Sequence, residues 1–400
     1  LHFVCISSLG FFFKGIIPMT FPDNYVKYDE LTINHTLVGS GGATDHDVWI
    51  PLTLLSMTAQ ETLRSDGGDA RFTLNDGTTQ LPGYAVINSV GNCIGFRVKI
   101  SFLSNLTDTI IRLWYNGSDT ALSASDTYGQ YNVFTSATRA FYQFLLDPSG
   151  SLPQLVDLTS NGNDNSAISG FSSADLIAGQ LSKAWKWGNS SDVVTIPEDP
   201  SLRPTSLTLE MWLRINAFPG SGGENVLAKT NIFEGMDHVQ DYGLEIQATS
   251  GGRFNFYVFT AGTNYRDTQT TGLVTGQWYY VVCRYDQNTS TPSVYVNTID
   301  VNASTGGSGS GVIVTNNTPS NLLIGNRSGF VSGALFDMSM LRIRSDVVSD
   351  AQITTRYNNE FNPSTFFSNV TSKTTDGPSG VTSCRFPVIG SSIIRGVRNL

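Results

Sequence analysis

The stretch SLTLEMWLRI, Ser206–Ile215, decides the fold class. Leu209, Met211, Leu213 and Ile215 fall on one side of an extended chain, and Glu210, Trp212 and Arg214 on the other, because side chains alternate faces along a strand. GRFNFYVF, residues 252–259, repeats the pattern. There Phe254, Phe256 and Val258 oppose Asn255, Tyr257 and Phe259. Apolar residues on both faces mean that both faces are covered in part, as when curved sheets pack together.

Outward from these two strands the same texture continues. YDELTINHTLV, VWIPLTLL, ARFTL, YAVINSV, FRVKISF and TIIRLWYN lie before residue 120, and YGLEIQ, WYYVVCRYD, SVYVN, NLLIGN and MSMLRIR follow residue 240. Turn residues punctuate them, and sustained helical periodicity is nearly absent. The chain reads as all-β. One helix stands out in SDAQITTRYNNEF, with Ser349 as N-cap, Gln352 completing a capping box and Asp350 in the first turn. Ile353, Tyr357 and Phe361 would line one face of it.

With 400 residues the chain is long for a single core, and the break at LLDPSGSLPQL suggests two β-sandwich domains, over 19–140 and 150–365. Residues 1–18 read as an N-terminal extension. Its apolar run Phe3–Phe13 fits a signal-peptide core, translation from upstream of Met19, or a short anchor helix. Residues 366–400 lose strand periodicity and turn basic at Arg385, Arg395 and Arg398, as a Ser/Thr/Gly-rich tail.

Charged residues are 14% of the chain and the net charge is −9, with no basic stripe. Nucleic acid is therefore not an expected partner, since no surface would release counterions from a phosphate backbone. No apolar run reaches the length of a membrane span. Cys5, Cys93, Cys283 and Cys384 stand apart with no CxxC, so four free thiols are expected and neither a zinc site nor a redox motif. Cys283, within WYYVVCRY, reads as a small core residue.

In their order and spacing, DLTSNGNDNSAISG, AGQLSKAWKW, PEDPSLRPTSLTLEMWLRI, VLAKT, GQWYYVVCRYD, LLIGNR and LRIRSDVVSDAQITTRYN resemble the laminin-G-like, concanavalin A-type jelly-roll family over residues 155–362. Two positions depart from its pattern: Thr298 stands where a turn glycine is usual, and Ser339 where many members carry Asp. The text SDGGDARFTLNDGTTQLPGY, 65–84, with VKISFLSNLTDTIIRLWYNGSD resembles a bacterial and phage domain of unknown function that commonly precedes such jelly-rolls. Within it Asp66–Asp69 and Asn75–Gly77 read as turns around a strand, with solvated carboxylates rather than a cation site.

The chemistry points away from catalysis. Glucanase-type catalysis needs two carboxylates alternating on a strand, and none of the eight Glu has that spacing. His2, His35, His46 and His238 lack a Ser or Cys with a base-orienting partner. No catalytic residue is assigned and the chain is not expected to be an enzyme. Hard oxygen donors Asp157, Asn161 and Asp164 in DLTSNGND suit Ca²⁺. The family resemblance implies glycan or cell-surface binding. An aromatic platform beside planar polar groups would be drawn from Trp187, Tyr257, Tyr265 and Arg266, with Asp237 and His238 in what reads as the longest loop.

The expected function is a non-catalytic adhesion module that is extracellular, on a cell surface or on a virion. A structural virion protein whose jelly-roll serves assembly is the alternative, and a glucanase-type hydrolase ranks below both. The sequence leaves an oligomer open.

Overall fold

Turn residues break this chain so often that its backbone polar groups can be satisfied only by pairing many short strands. A computed structural model describes residues 21 and 24–375, except 234–235, 249–251, 262–263, 271, 303, 314–319 and 328–332. The early strands are β1 (Lys27–Ile33), β2 (Ala43–Pro51), β3 (Arg71–Leu74), β4 (Gln80–Leu81), β5 (Gly83–Ile87), β6 (Cys93–Leu103), β7 (Thr109–Tyr115) and β8 (Thr138–Gln143), with a short helix α1 (Met57–Thr62). Then come β9 (Ala167–Ser169), β10 (Leu176–Gly179), β11 (Ser182–Trp187), β12 (Val193–Ile196), β13 (Leu207–Ala217), β14 (Gly223–Phe233), β15 (Met236–Gln247) and β16 (Arg253–Ala261). The last are β17 (Asn264–Gln269), β18 (Trp278–Asp286), β19 (Thr291–Val296), β20 (Ile299–Asp300), β21 (Ser304–Gly306), β22 (Leu322–Ile324) and β23 (Leu335–Arg344), then α2 (Asp350–Phe361), α3 (Pro363–Phe366) and β24 (Phe367–Thr374).

The first module packs the sheet β24-β1-β7-β3-β4 against β2-β6-β5. Leu31, Ile33, Val48, Ile50, Phe72, Phe96, Val98, Ile111 and Leu113 fill its core. Gly67 and Gly77 take positive φ in the turns that flank β3, so the SDGGDARFT block is a turn–strand–turn. Asp69 is spent within it: its carboxylate accepts the amides of Arg64 and Asn116.

The second module is a sandwich of β10-β11-β23-β13-β18-β19-β20 against β21-β17-β16-β15-β14-β22-β12-β9. Leu209, Met211, Leu213 and Ile215 enter its core with Phe254, Phe256 and Val258, as the alternation predicts. Cys93 and Cys283 are buried free thiols; Cys5 and Cys384 lie outside the described residues, as do residues 1–18.

Two boundaries depart from the sequence reading. Strand β8 belongs to the second module, where it pairs with β23 from Thr138 to Gln143. Pro and Gly at 148–150 mark a loop after β8 and not a break between modules. The chain beyond residue 365 is also not all tail. Strand β24 returns to the first module and pairs with β1 from Lys27↔Thr374 to Ile33↔Phe367, and Phe366 and Phe367 enter that module's core. Its Ser, Asn and Thr residues fit an edge strand with a wet face, which carries no apolar alternation to read. Arg385, Arg395 and Arg398 lie outside the described residues.

Helix α2 begins at the expected cap, with Ser349 Oγ accepting the Gln352 amide and the Gln352 side chain returning to Ser349. Ile353 is buried, and Tyr357, Phe361 and Trp212 stack on one another as a trio. Arg356 and Glu360, beside Ile353 on the helix, are buried with it, as is Asn359, while Phe361 is exposed.

Candidate functional site

The outward faces of the two jelly-roll sheets have different fates, and that difference locates the site. On β13 the residues that alternate with the core are Glu210 and Trp212. They meet the first module and α2 in a buried junction built from Trp49, Phe141, Trp212, Tyr280, Met340 and Ile353. Three guanidinium groups and three carboxylates interlock there. Asp47 accepts from Arg97 at 2.9 Å, Arg342 at 2.7 Å and Arg356 at 3.0 Å. Glu210 accepts from Arg356 and from the Tyr280 hydroxyl, both at 2.5 Å. Glu360 accepts from Arg97 at 2.9 Å and from the indole of Trp212 at 2.7 Å. Arg97 and Arg342 both lie against the Phe141 ring, each within 5 Å of its centre.

Burial would raise both of the Asp47 and Glu210 carboxyls, but the surrounding arginines outweigh it. Asp47 is held far below the usual carboxylate range, and Glu210 is held down to about 2. His46 sits beside them fully buried, with neither ring nitrogen hydrogen-bonded. Burial, reinforced by Arg356, keeps its pKa well below the ordinary value, so the ring is neutral. This sheet face is therefore occupied by the protein's own first module.

The other sheet turns Asn255 and Tyr257 of β16 and Glu245 of β15 away from the core. Arg253 donates to Gln247 at 2.7 Å, Gln247 donates to Glu245 at 3.1 Å, and Asn255 donates to the same Glu245 oxygen at 3.5 Å. The Tyr257 side chain crosses β15 above Gly243, where a Cβ would stand 2.2 Å from the hydroxyl oxygen, and donates to Asn225 Oδ1 at 3.3 Å. Asn225 Nδ2 and Asn255 Oδ1 are buried without partners. The result is a strip of planar polar groups, Arg253–Gln247–Glu245–Asn255, whose first three members are half-buried. Such a strip can exchange hydrogen bonds with a hydroxylated ligand.

The residues expected from sequence sort unevenly onto this frame. Tyr257 is on the expected face but only 6% exposed, and burial raises its pKa; it packs instead of offering an open ring. Trp187 is fully buried, stacked on Phe336 at 4.6 Å, because β11 directs it into the sandwich. Tyr265 and Arg266 lie on β17, paired with Phe259 and Val258. Asp237 and His238 lie on β15 and not in a long loop: Phe233 of β14 pairs with Met236 of β15. The side chains of these four residues are outside the described part of the structure. Glu245, Gln247 and Arg253 escaped the sequence reading, and their only signal was a polar residue at alternate positions of strong strands.

The loop expected to hold calcium ties down β8. Asp157 is 5% exposed. It accepts the amides of Phe141, Thr159 and Asn163 and the Thr159 hydroxyl. Asp164 accepts the Asp157 amide at 2.7 Å, and Asn161 donates to Arg139 O at 2.9 Å. These groups latch the outer edge of β8, and both Asp157 oxygens already accept from protein donors, so that carboxylate is committed to the fold. Among the described residues no three His, Cys, Asp or Glu gather as metal ligands. Ser339, the departure from the family pattern, donates to Lys183 O and accepts the Leu181 amide.

Residues 188–354 match the family model of the concanavalin A-like lectin/glucanases superfamily, and this segment is a domain of that superfamily. No curated protein matches the sequence. Among solved structures, the binding domain of Paraclostridial Mosquitocidal Protein 1 aligns at 14% identity and a TM-score of 0.40, over 56% of this chain and 53% of that one. Trypanosoma rangeli sialidase in complex with sialic acid aligns at 14% identity and 0.40, over 65% of this chain and 42% of the enzyme. Domain 4 of AbnA, an extracellular arabinanase from Geobacillus stearothermophilus in complex with arabinotriose, aligns at 15% and 0.40, over 54% and 96%. The chain thus spans about half or less of the first two. No described helix is long and apolar enough to cross a membrane.

Proposed function

We propose that the protein is a non-catalytic binding module, extracellular or on a cell or virion surface, that recognises a glycan through the outward face of its second jelly-roll sheet. The observation that carries this reading is the division of labour between the sheets. The first sheet spends Glu210 on the junction with Arg356 and Tyr280. The second keeps a half-buried amide–carboxylate–guanidinium strip. Sugar hydroxyls pair with such planar groups, and a surface with few charges favours neutral hydrogen bonds. Glu245 is tied to Gln247 and Asn255, which suits orientation of a ligand.

The test is a glycan panel applied to the full chain, because the isolated jelly-roll would expose Trp212 and the arginine cluster. Binding should weaken by tenfold or more in Gln247→Ala and in Arg253→Ala, about 1.4 kcal/mol each. An absence of binding at millimolar glycan would remove the recognition reading and favour a structural role in assembly. Release of reducing sugar would overturn the non-catalytic assignment.

A further inference from the structure

A different surface, on the first module, carries the features of a second binding site. Strand β5 is the edge of its sheet. Lys99 N donates to Pro82 O, and Asn88 N to Asn92 O, while Tyr84 pairs with Arg97. In an antiparallel ladder this parity points the main-chain groups of residues 82, 84, 86 and 88 at β6 and those of Gly83, Ala85 and Ile87 away from it. Gly83 N finds Tyr128 O. Among the described residues none meets the main chain of Ala85 or Ile87. The opposite edge of the same sheet is treated differently: Asn359 of α2 accepts the Trp49 amide and donates to its carbonyl, closing β2.

Edges left open are normally defended by Lys, Pro or a charge. The segment GYAVI of β5 has none of these. Two cavities lie against it, of about 290 and 250 Å³, sharing Tyr84, Ala85, Ile87 and Gln130. The first is walled by the turn Asp66–Gly68 and the segment Ala121–Ala124, the second by Leu145, Leu146, Val156 and Leu158 of the jelly-roll module. Among the described residues the groove offers no free charge. Asp66 is paired with Arg64 and the Gly68 amide, and Arg71 with the carbonyls of Gly68, Ala70 and Thr120. Gln143 lines the second cavity with its amide buried and unpartnered at both ends.

We propose that β5 and its flanking groove dock an extended, uncharged polypeptide segment as an added strand. Alternating amides and carbonyls of such a segment match Ala85 and Ile87, and apolar side chains match the wall from Leu145 to Leu158. A sugar would leave that apolar wall without a partner. The site is independent of the glycan strip, which lies on the other module.

The experiment uses the full chain and a fluorescein-labelled, end-blocked hexapeptide of alternating threonine and valine. In the free protein the Ala85 and Ile87 amides should exchange with deuterium rapidly, and the Tyr84 and Val86 amides slowly. Saturating peptide should protect Ala85 and Ile87. Ala85→Pro removes only an outward amide and leaves the ladder to β6 intact, and it should weaken binding at least tenfold. Leu146→Glu, which places a charge in the groove wall from the other module, should do the same and covers the case in which the proline variant fails to fold. No saturable binding at millimolar peptide overturns the proposal. So does binding within twofold of wild type in a folded Ala85→Pro or in Leu146→Glu, prior protection of Ala85 in the free protein, or displacement of the peptide by neutral oligosaccharides.

Discussion

Replacing Arg356 by Met tests whether the buried charge cluster is what joins the modules. Arg356 on α2 reaches Glu210 of the jelly-roll at 2.5 Å and Asp47 of the first module at 3.0 Å. Its loss leaves Arg97 and Arg342 facing three carboxylates, one buried charge uncompensated. Removing one partner of a buried ion pair costs about 3–5 kcal/mol, of which little is recovered by solvent because all six groups are buried. In urea, with a slope near 3 kcal/mol/M, the midpoint should fall by about 1 M or more. Tryptophan fluorescence reports the junction directly, since Trp212 donates to Glu360 and Trp49 lies beside Arg97. The second half of the test is Glu210→Gln in the same chain. That restores two positive against two negative groups and should recover at least half of the loss, although a contact has been deleted. A midpoint shift below about 0.3 M in Arg356→Met, or a double variant worse than the single by the full cost of Glu210→Gln alone, would refute charge balance as the organising force.

Acid should weaken the same junction in two stages. His46 has a lowered pKa in the folded chain, and its contribution is present above its ordinary value of 6.5 and lost as pH falls below it. The lowered carboxyls of Glu210 and Asp47 contribute above 4.5 and 3.8 respectively, and that part is lost progressively at lower pH. His46→Leu should flatten a thermal-melt profile between pH 6.5 and 4.5 and leave the steeper fall beneath it. Asp157→Ala strips four donors of their acceptor and should cost about 2–4 kcal/mol in denaturant melts, equally with calcium and with chelator. A calcium-dependent rise in wild-type Tm that vanishes in this variant would restore the calcium reading of the loop. Gly243→Ala drives a methyl into the Tyr257 hydroxyl and should destabilise by about 1–3 kcal/mol, with part of that relieved in Gly243→Ala/Tyr257→Phe.

Much of the fold was legible because alternation is a local signal. Ser206–Ile215 and Arg253–Phe259 declare their core faces from spacing alone, and Ser349 with Gln352 declares the start of α2. What alternation cannot say is which partner a face meets. Glu210 and Trp212 look like the wet side of a strand, and only the fold brings Asp47, Arg97 and Glu360 to them from more than a hundred residues away. Trp187 and Tyr257 carry the composition of a sugar platform, yet one is inside the sandwich and the other lies flat over Gly243. Asp157 has the chemistry of a calcium ligand, and its four donors come mainly from backbone amides, which leave no trace in the sequence.

The module boundary fails to show in sequence for a related reason, and the failure bears on how the protein works. The first module is closed by β24, supplied after the whole jelly-roll has passed, and the jelly-roll is extended by β8, supplied before it begins. Each module therefore completes its sheets with chain that runs to or from the other, and α2 threads between them with Arg356 touching both. Pulling the modules apart would expose six buried ionic groups at once. Such a junction resists separation through many desolvated contacts released together and not through one flexible linker. Proteolysis under native conditions should accordingly fail to cut between residues 116 and 166 into separable halves, and Arg356→Met should make that region the first place to be cleaved.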